Sequence, residues 1–87
     1  MDSKFTMVIA AFPQAAAKIV LVKKGVDPTN APSWTCWATE LVENICNIAE
    51  LYKDEIERIQ ILSVDSFIQP IIGELKQKIN LPIEMME

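Results

Sequence analysis

Acidic side chains recur through the middle of the chain at spacings that could form one charged surface. Glu40, Glu43, Glu50, Asp54 and Glu57 are separated by 3, 7, 4 and 3 residues. On a helix, these spacings place the five carboxylates within an arc of about 100°. Regular negative charge of this kind can bind a basic partner, although any solvated helix also needs a polar face. We therefore predict a partner-binding surface made of these residues, with an ordinary solvated face as the alternative.

A second group combines lysines with tryptophans around one predicted junction. Its members are Lys18, Lys23, Lys24, Trp34, Thr35 and Trp37. Cations supply affinity for phosphate, indole rings supply a stacking surface, and a helix N-terminus offers free N–H groups. This group predicts, as an alternative function, an oligomeric protein that sequesters an anionic small ligand such as a nucleotide or cyclic dinucleotide. The structural alternative is that the tryptophans anchor a core or interface and the lysines are solvated.

Residues that could support catalysis or a metal site are scarce. The chain has no His and only two Gly, so the usual general base and a Gly-rich phosphate loop are both missing. Cys36 and Cys46 would lie about 15 Å apart on one helix, too far for a shared metal ion or a disulfide. We predict a non-enzymatic protein without a cofactor or metal, in which both thiols act as small buried apolar groups.

Charge is divided unevenly along the 87 residues. Residues 1–26 carry four lysines and one aspartate, whereas residues 27–87 carry four bases and eleven acids, for a net charge of −4. An acidic total argues against direct nucleic-acid binding. A basic end and an acidic body can complement each other between subunits.

The N-terminal apolar stretch raises the question of a membrane segment. Residues 5–22 are largely apolar, but Pro13, Gln14 and Lys18 interrupt them, and residues 1–4 lack a positive excess. We therefore expect neither membrane insertion nor a secretory signal. Two unpaired Cys suit a reducing compartment, so the predicted location is the cytoplasm.

Two short helices are predicted before residue 25. Ser3 can cap a helix over about residues 4–12, a kink falls at Phe12–Pro13, and a second helix covers residues 13–24 before a left-handed Gly25. A strand over residues 19–22 is the alternative, but a lone strand would have nothing to pair with. Residues 26–33 have the composition of a linker.

A long third helix is predicted over residues 34–62, which contain no Gly and no Pro. Apolar residues recur there at a heptad-like spacing, and we predict an oligomer interface of Leu41, Ile45, Ile48, Tyr52 and Ile59. Such a helix would be about 43 Å long. A compact domain of this size is only roughly 30 Å across, so a second chain would have to cover the excess.

The remaining elements complete an all-α prediction. A turn is expected at residues 63–66, a helix at about 66–79, and a frayed or extended tail at 80–87. The predicted fold is one helical domain over residues 1–87, a small helical bundle or antiparallel helical hairpin with a kinked N-terminal helix, completed by oligomerisation. A dimer is the default. The predicted function is a protein-interaction module, such as an inhibitor, adaptor or assembly subunit, that acts through the apolar seam and the acidic face.

Overall fold

A computed structural model of the chain describes residues 4–11, 16–62 and 68–86. Five strands and two helices follow one another along these residues. Two short 3₁₀ turns, Pro28–Asn30 and Ala38–Glu40, flank the third strand. The elements in chain order are β1 (Phe5–Ala10), β2 (Ala16–Val22), β3 (Ser33–Trp37), α1 (Leu41–Leu51), β4 (Ile56–Leu62), α2 (Ile68–Lys78) and β5 (Ile83–Met86).

The five strands form a single mixed sheet in the order β3-β2-β1-β4-β5. β2 runs antiparallel to both β1 and β3, whereas β4 runs parallel to both β1 and β5. The antiparallel meander β1–β3 needs only short connections, but each parallel pairing needs a crossover, and α1 and α2 supply these crossovers. The chain is therefore a mixed α/β fold, and the predicted all-α helical bundle or hairpin is wrong.

The two predicted N-terminal helices, 4–12 and 13–24, are strands β1 and β2. Both contain β-branched residues, and buried positions alternate along β2, as expected for a strand with one covered face. In β1 the buried residues are Met7 and Ile9 on one side and also Thr6 on the other. The objection that a strand here would lack a neighbour fails because β1 pairs with β2 and β4, and β2 pairs also with β3. Gly25 has the positive φ expected of it, 86°, but follows a strand and not a helix.

The predicted helix over residues 34–62 is divided into β3, a 3₁₀ turn, α1, a turn and β4. α1 ends at Leu51, and Asp54 then takes a left-handed conformation with φ 67°, which a continuous helix does not allow. The continuous helix over residues 34–62, which would have needed a second chain to cover it, is therefore absent. Self-association stays a prediction, without the length argument that supported it.

Both helices lie on the same face of the sheet and form the hydrophobic core with it. Met7 and Ile9 of the central strand β1 are fully buried, and so are their neighbours on β2 and β4. From the helices, the buried side chains are Leu41, Ile45 and Ile48 of α1 and Ile68, Ile72 and Leu75 of α2. The core is thus the layer between the helix pair and one side of the sheet.

The opposite side of the sheet carries neither α1 nor α2. We call it the open sheet face. From the strand register its described members are Thr6, Val8, Ala10, Ala16, Lys18, Val20, Val22, Ser33, Thr35, Trp37, Arg58, Gln60, Leu62 and Glu84.

The C-terminal predictions agree better with the structure. α2 matches the helix expected at 66–79 to within two residues, although residues 66 and 67 lie outside the described part. The tail is not frayed throughout, because residues 83–86 form β5 at the sheet edge. The Ser3 cap, the kink at Phe12–Pro13 and the turn at 63–66 also fall outside the described residues. In the portion described, neither helix has the length and apolar character needed to cross a membrane.

Adjacent residues of β4 test which side of the sheet is covered. Ile61 is fully buried and Leu62 is 41% exposed. We expect Ile61→Ala to lower the free energy of unfolding by about 2–5 kcal/mol, because a core cavity would remain. Leu62→Ala, the matched change on the open sheet face, should cost under about 1 kcal/mol. Denaturant unfolding measures both, and equal costs would contradict this arrangement of layers.

Asp54 distinguishes the turn from a continuous helix. Glycine adopts a positive φ without steric cost, so Asp54→Gly should raise the free energy of unfolding by about 0.5 kcal/mol. In a continuous helix, the same change would lower it by about 1 kcal/mol. Glu50→Gly, inside α1, is the control and should show that loss in the same denaturant titration.

Candidate interaction surface

The β1–β2–β3 half of the open sheet face is mostly apolar. Successive side chains of a strand point to opposite sides, so Val20 and Lys18 of β2 share this face with Ser33 and Thr35, their register partners on β3. Trp37 continues the row beside Ala16. Lys18 is the only charged side chain that the described part of this half contains.

Trp37 is the large apolar side chain that stands out on this surface. It is 65% exposed, although it belongs to a strand of the sheet. Covering an indole removes more apolar area from water than covering most other side chains, and exposed tryptophans are therefore frequent anchors of protein interfaces. Its position at the carboxyl end of the edge strand leaves it accessible from two directions.

Trp34 has a different environment, although it is only three residues away. It lies on the helix side of β3 and meets Tyr52 edge-to-face at 6.0 Å between ring centroids. Tyr52 in turn meets Phe5 at 5.6 Å, and the Lys23 ammonium lies 4.8 Å from the Phe5 ring centroid. This aromatic cluster holds the end of α1 against β1 and β3, so Trp34 has a structural role.

The β4–β5 half of the open sheet face is polar. Arg58 on β4 forms an ion pair of 4.0 Å with Glu84 on β5, and Gln60 donates a hydrogen bond of 3.4 Å to the same carboxylate. Both partners of the ion pair are about half exposed, so its contribution to stability is small. The change from apolar to polar character across the sheet places the candidate interaction surface on the β3 side.

The five predicted acidic residues do not share one helix face. Glu43 and Glu50 lie on α1, and Glu40 ends the 3₁₀ turn that precedes it. Asp54 lies in the turn after α1, and Glu57 lies on β4. All five side chains are exposed, but three of the five, Glu40, Asp54 and Glu57, lie outside α1.

The predicted ligand group is divided between the two sides of the sheet. Lys18, Thr35 and Trp37 lie together on the open sheet face, whereas Trp34 lies on the other side. Lys23 packs on Phe5, and Lys24 is exposed in the loop after β2. The structure thus brings together half of the six residues.

The five predicted oligomer-interface residues belong to the interior of a single chain. Leu41, Ile45 and Ile48 are buried against the sheet, and Ile59 is buried on β4. Tyr52 is half-buried in the aromatic cluster. Their heptad-like spacing reflects the inner face of α1 and, beyond Tyr52, an inward position on a strand. An interface with a second chain would therefore have to use other residues.

Two open depressions lie near residues of the predicted acidic surface and the predicted ligand group. A groove of about 710 Å³ separates α1 from α2, where Lys78 and Glu74 pair at 3.6 Å opposite Glu43. A smaller pocket of about 450 Å³ lies along the outer edge of β3, lined by Ala16, Thr35, Cys36, Trp37, Glu40 and Asn44. The second pocket adjoins Trp37 and contains a carboxylate and no cation, which disfavours an anionic ligand there. Across residues 4–11, 16–62 and 68–86, no three Asp, Glu or Cys side chains are grouped as metal ligands.

The open sheet face was missed by sequence reasoning, although a signal for it exists. In β2, buried residues alternate with more exposed ones from Ala17 to Leu21, and in β3 half-buried residues alternate with exposed ones. A period of two assigns Trp34 and Trp37 to opposite sides of a strand, whereas a period of 3.6 places them on the same side of a helix. Choosing the wrong period therefore misassigned the exposed tryptophan.

Comparisons of the chain with protein-family models, with curated proteins and with solved structures gave no match. The candidate interaction surface is therefore interpreted from its own geometry and chemistry.

The thiol of Cys36 provides a test of this edge. Partial burial raises the pKa of Cys36, and the nearby negative charge of Glu40 raises it further. Glu40→Gln should lower the pH midpoint of Cys36 alkylation but leave it above that of an exposed thiol, because burial is the larger cause. The measurement is the alkylation rate against pH in a Cys46→Ser background. Glu43→Gln is the control, and an equal shift from both changes would exclude a local effect of Glu40.

Proposed function

We propose that the chain is a non-enzymatic protein-interaction module, an assembly subunit that binds protein through the β3 side of its open sheet face. The observation that carries this proposal is the exposure of Trp37 on a sheet face to which the described helices contribute no cover. Apolar surface of this kind is stabilised when another protein removes it from water.

The chemistry of the surface specifies its partner. Trp37 lies beside Ala16 in the strand register, Thr35 and Lys18 are the next residues on the same face, and Glu40 lines the pocket that Trp37 adjoins. A matching surface therefore has small residues that the indole ring of Trp37 can cover, with polar or charged groups opposite Lys18 and Glu40. The Arg58–Glu84 pair lies further in across the sheet and can interact with polar groups at the rim of such a contact.

The non-enzymatic part of the proposal rests on composition. The chain has no His, so a group that exchanges protons near neutral pH would have to come from a carboxyl or thiol with a strongly altered pKa. The described group with a raised pKa is Cys36, and its shift makes the thiolate less available. A cytoplasmic location belongs to the same proposal and is supported by the two free thiols.

The alternative function, sequestration of a nucleotide-like anion, retains Lys18, Thr35 and Trp37 as neighbours. Binding of a basic partner through acidic residues retains Glu43 and Glu50 on α1. Neither group is as well supported as the apolar surface, because the other residues predicted for each group lie elsewhere in the structure.

Single-tryptophan variants test the proposal. Trp34→Phe leaves Trp37 as the sole indole, and Trp37→Phe leaves Trp34 as the matched control. We expect the emission of Trp37 to match that of a water-exposed indole and to shift to shorter wavelength on binding a protein partner, whereas that of Trp34 should not move. The partner is isolated by affinity capture from cell extract with the wild-type chain, purified, and titrated against both variants.

Alanine substitutions separate binding from folding. Trp37→Ala should weaken the captured partner's affinity by about 30-fold or more, as for an interface anchor. It should change the free energy of unfolding by under about 1 kcal/mol, whereas Trp34→Ala should cost about 3 kcal/mol. An unchanged affinity, or a Trp37→Ala that unfolds the chain, would contradict the proposal. Quenching of Trp37 by ATP that Lys18→Glu abolishes would favour the small-ligand alternative.

A further inference from the structure

The outer edge of β3 lacks the features that normally prevent strand pairing. β3 ends the sheet order, so among the described strands it has a neighbour on one side only. Its sequence, Ser-Trp-Thr-Cys-Trp, contains no charged residue and no proline. Natural edge strands are usually protected by lysines, prolines, bulges or very short length. The other edge strand, β5, differs in that Glu84 places a charge within it.

The backbone of β3 has hydrogen-bonding groups directed away from the sheet. The Leu21 N–H donates to the Pro32 carbonyl at 3.0 Å, which makes Leu21 and Pro32 a hydrogen-bonded pair of the β2–β3 ladder. Such pairs alternate along an antiparallel ladder, so Trp34 and Cys36 also bond to β2. The N–H and C=O groups of Ser33 and Thr35, and the N–H of Trp37, therefore point outward.

We propose that the β3 edge is the docking site for a second copy of this chain, which pairs antiparallel about a two-fold axis at Thr35. The inference rests on the proposed function and names its partner. In this register the two Thr35 residues exchange N–H and C=O groups across the axis, and the Trp37 N–H of each copy donates to the Ser33 carbonyl of the other. The result is one continuous sheet across both copies.

The side chains fit this register. Trp37 of one copy lies opposite Ser33 of the other, and Val20 is the next residue inward on the same face. A small residue opposite an indole allows the ring to lie flat over Ser33 and Val20, so Trp37 becomes covered. The pocket along β3 is then occupied by the second strand.

Charge complementarity favours a second copy of the chain as the partner and an antiparallel arrangement of the two β3 strands. Lys23 and Lys24 follow β2 at the end where β3 begins, and Glu40 and Glu43 follow β3 at its other end. Antiparallel pairing places the basic end of each copy beside the acidic end of the other, so the dimer contains two such contacts. A parallel arrangement would instead bring like charges together. Asp27 lies in the same loop as Lys24 and carries the opposite charge, and its carboxylate accepts hydrogen bonds from the backbone N–H and the hydroxyl of Thr29.

Site-specific cross-linking tests the register. In a Cys36→Ser and Cys46→Ser background, Thr35→Cys should form an inter-chain disulfide on mild oxidation. The paired Cα atoms of an antiparallel ladder lie about 5.5 Å apart, within disulfide range. Thr39→Cys, also exposed but outside the strand, should not cross-link. Equal cross-linking of both variants, or none by Thr35→Cys, would overturn the proposal.

Sedimentation equilibrium tests the surface without cross-linking. The wild-type chain should show a monomer–dimer equilibrium, and Thr35→Lys should raise its dissociation constant by at least about tenfold, because four lysines would then meet near the axis. Gln77→Lys, on α2, is the charge-matched control and should behave as wild type. A wild-type chain that stays monomeric at every concentration, or a Thr35→Lys dimer as tight as wild type, overturns the inference.

Charge reversal tests the direction of the strands. Lys24→Glu should weaken the dimer, and Lys24→Glu combined with Glu40→Lys should restore most of the loss. A double variant weaker than Lys24→Glu alone overturns the antiparallel arrangement. A monomeric chain whose Trp37 emission still shifts on binding a captured protein overturns this inference and leaves the proposed function standing. A Thr35-dependent dimer in which Trp37→Ala binds every partner normally supports the edge pairing and removes Trp37 as the binding anchor.

Discussion

Burial of one side of β1 is the constraint on which the rest of the structure depends. β1 is the central strand, and its inward residues Met7 and Ile9 align with Leu21 and Ile19 on one side and with Ile59 and Ile61 on the other. All six side chains are buried. A one-residue slip of β2 or β4 would move its apolar residues to the other face, so the strand registers are strongly specified. α1 and α2 must then lie on this side, because that is where their apolar faces can be buried.

This constraint also explains the surface that we propose for binding. A domain of 87 residues has enough helix to cover one side of a five-stranded sheet in the described part of the chain, and the second side is left to small and β-branched residues. The open sheet face is therefore the side of the sheet that α1 and α2 leave uncovered, and Trp37 is its largest apolar residue. The same residues that make the outer side compatible with a sheet make it suitable for a further sheet or strand.

Local sequence predicted some elements, and non-local pairing decided the others. α2 was predicted because Ile68, Ile72 and Leu75 repeat at helical spacing and no strand competes for them. The helical spacing of Leu41, Ile45 and Ile48 was recognised, but these residues were assigned to an oligomer interface and not to the core of one chain. The ends of α1 were not predicted, since residues 56–62 satisfy a helical period about as well as they satisfy alternation. What distinguishes β4 from a helix is its pairing with β1, about fifty residues earlier, and nothing within the segment reports that pairing. The predicted ligand group is divided between the two sides of the sheet for the same reason, because Trp34 and Trp37 would share one side of a helix but lie on opposite sides of a strand.

The parallel pairing of β1 with β4 has a consequence for how the chain acquires its fold. β1 to β3 form a meander of local contacts that can assemble while the later part of the chain is still being synthesised. During that interval the second edge of β1 has no neighbour, and Met7 and Ile9 have no helix above them. Closure of the long loop to β4 carries an entropic cost that precedes the β1–β4 contacts, so we expect this step to slow folding. We therefore expect the nascent chain to be most prone to misassociation before residues 56–62 are available to pair with β1.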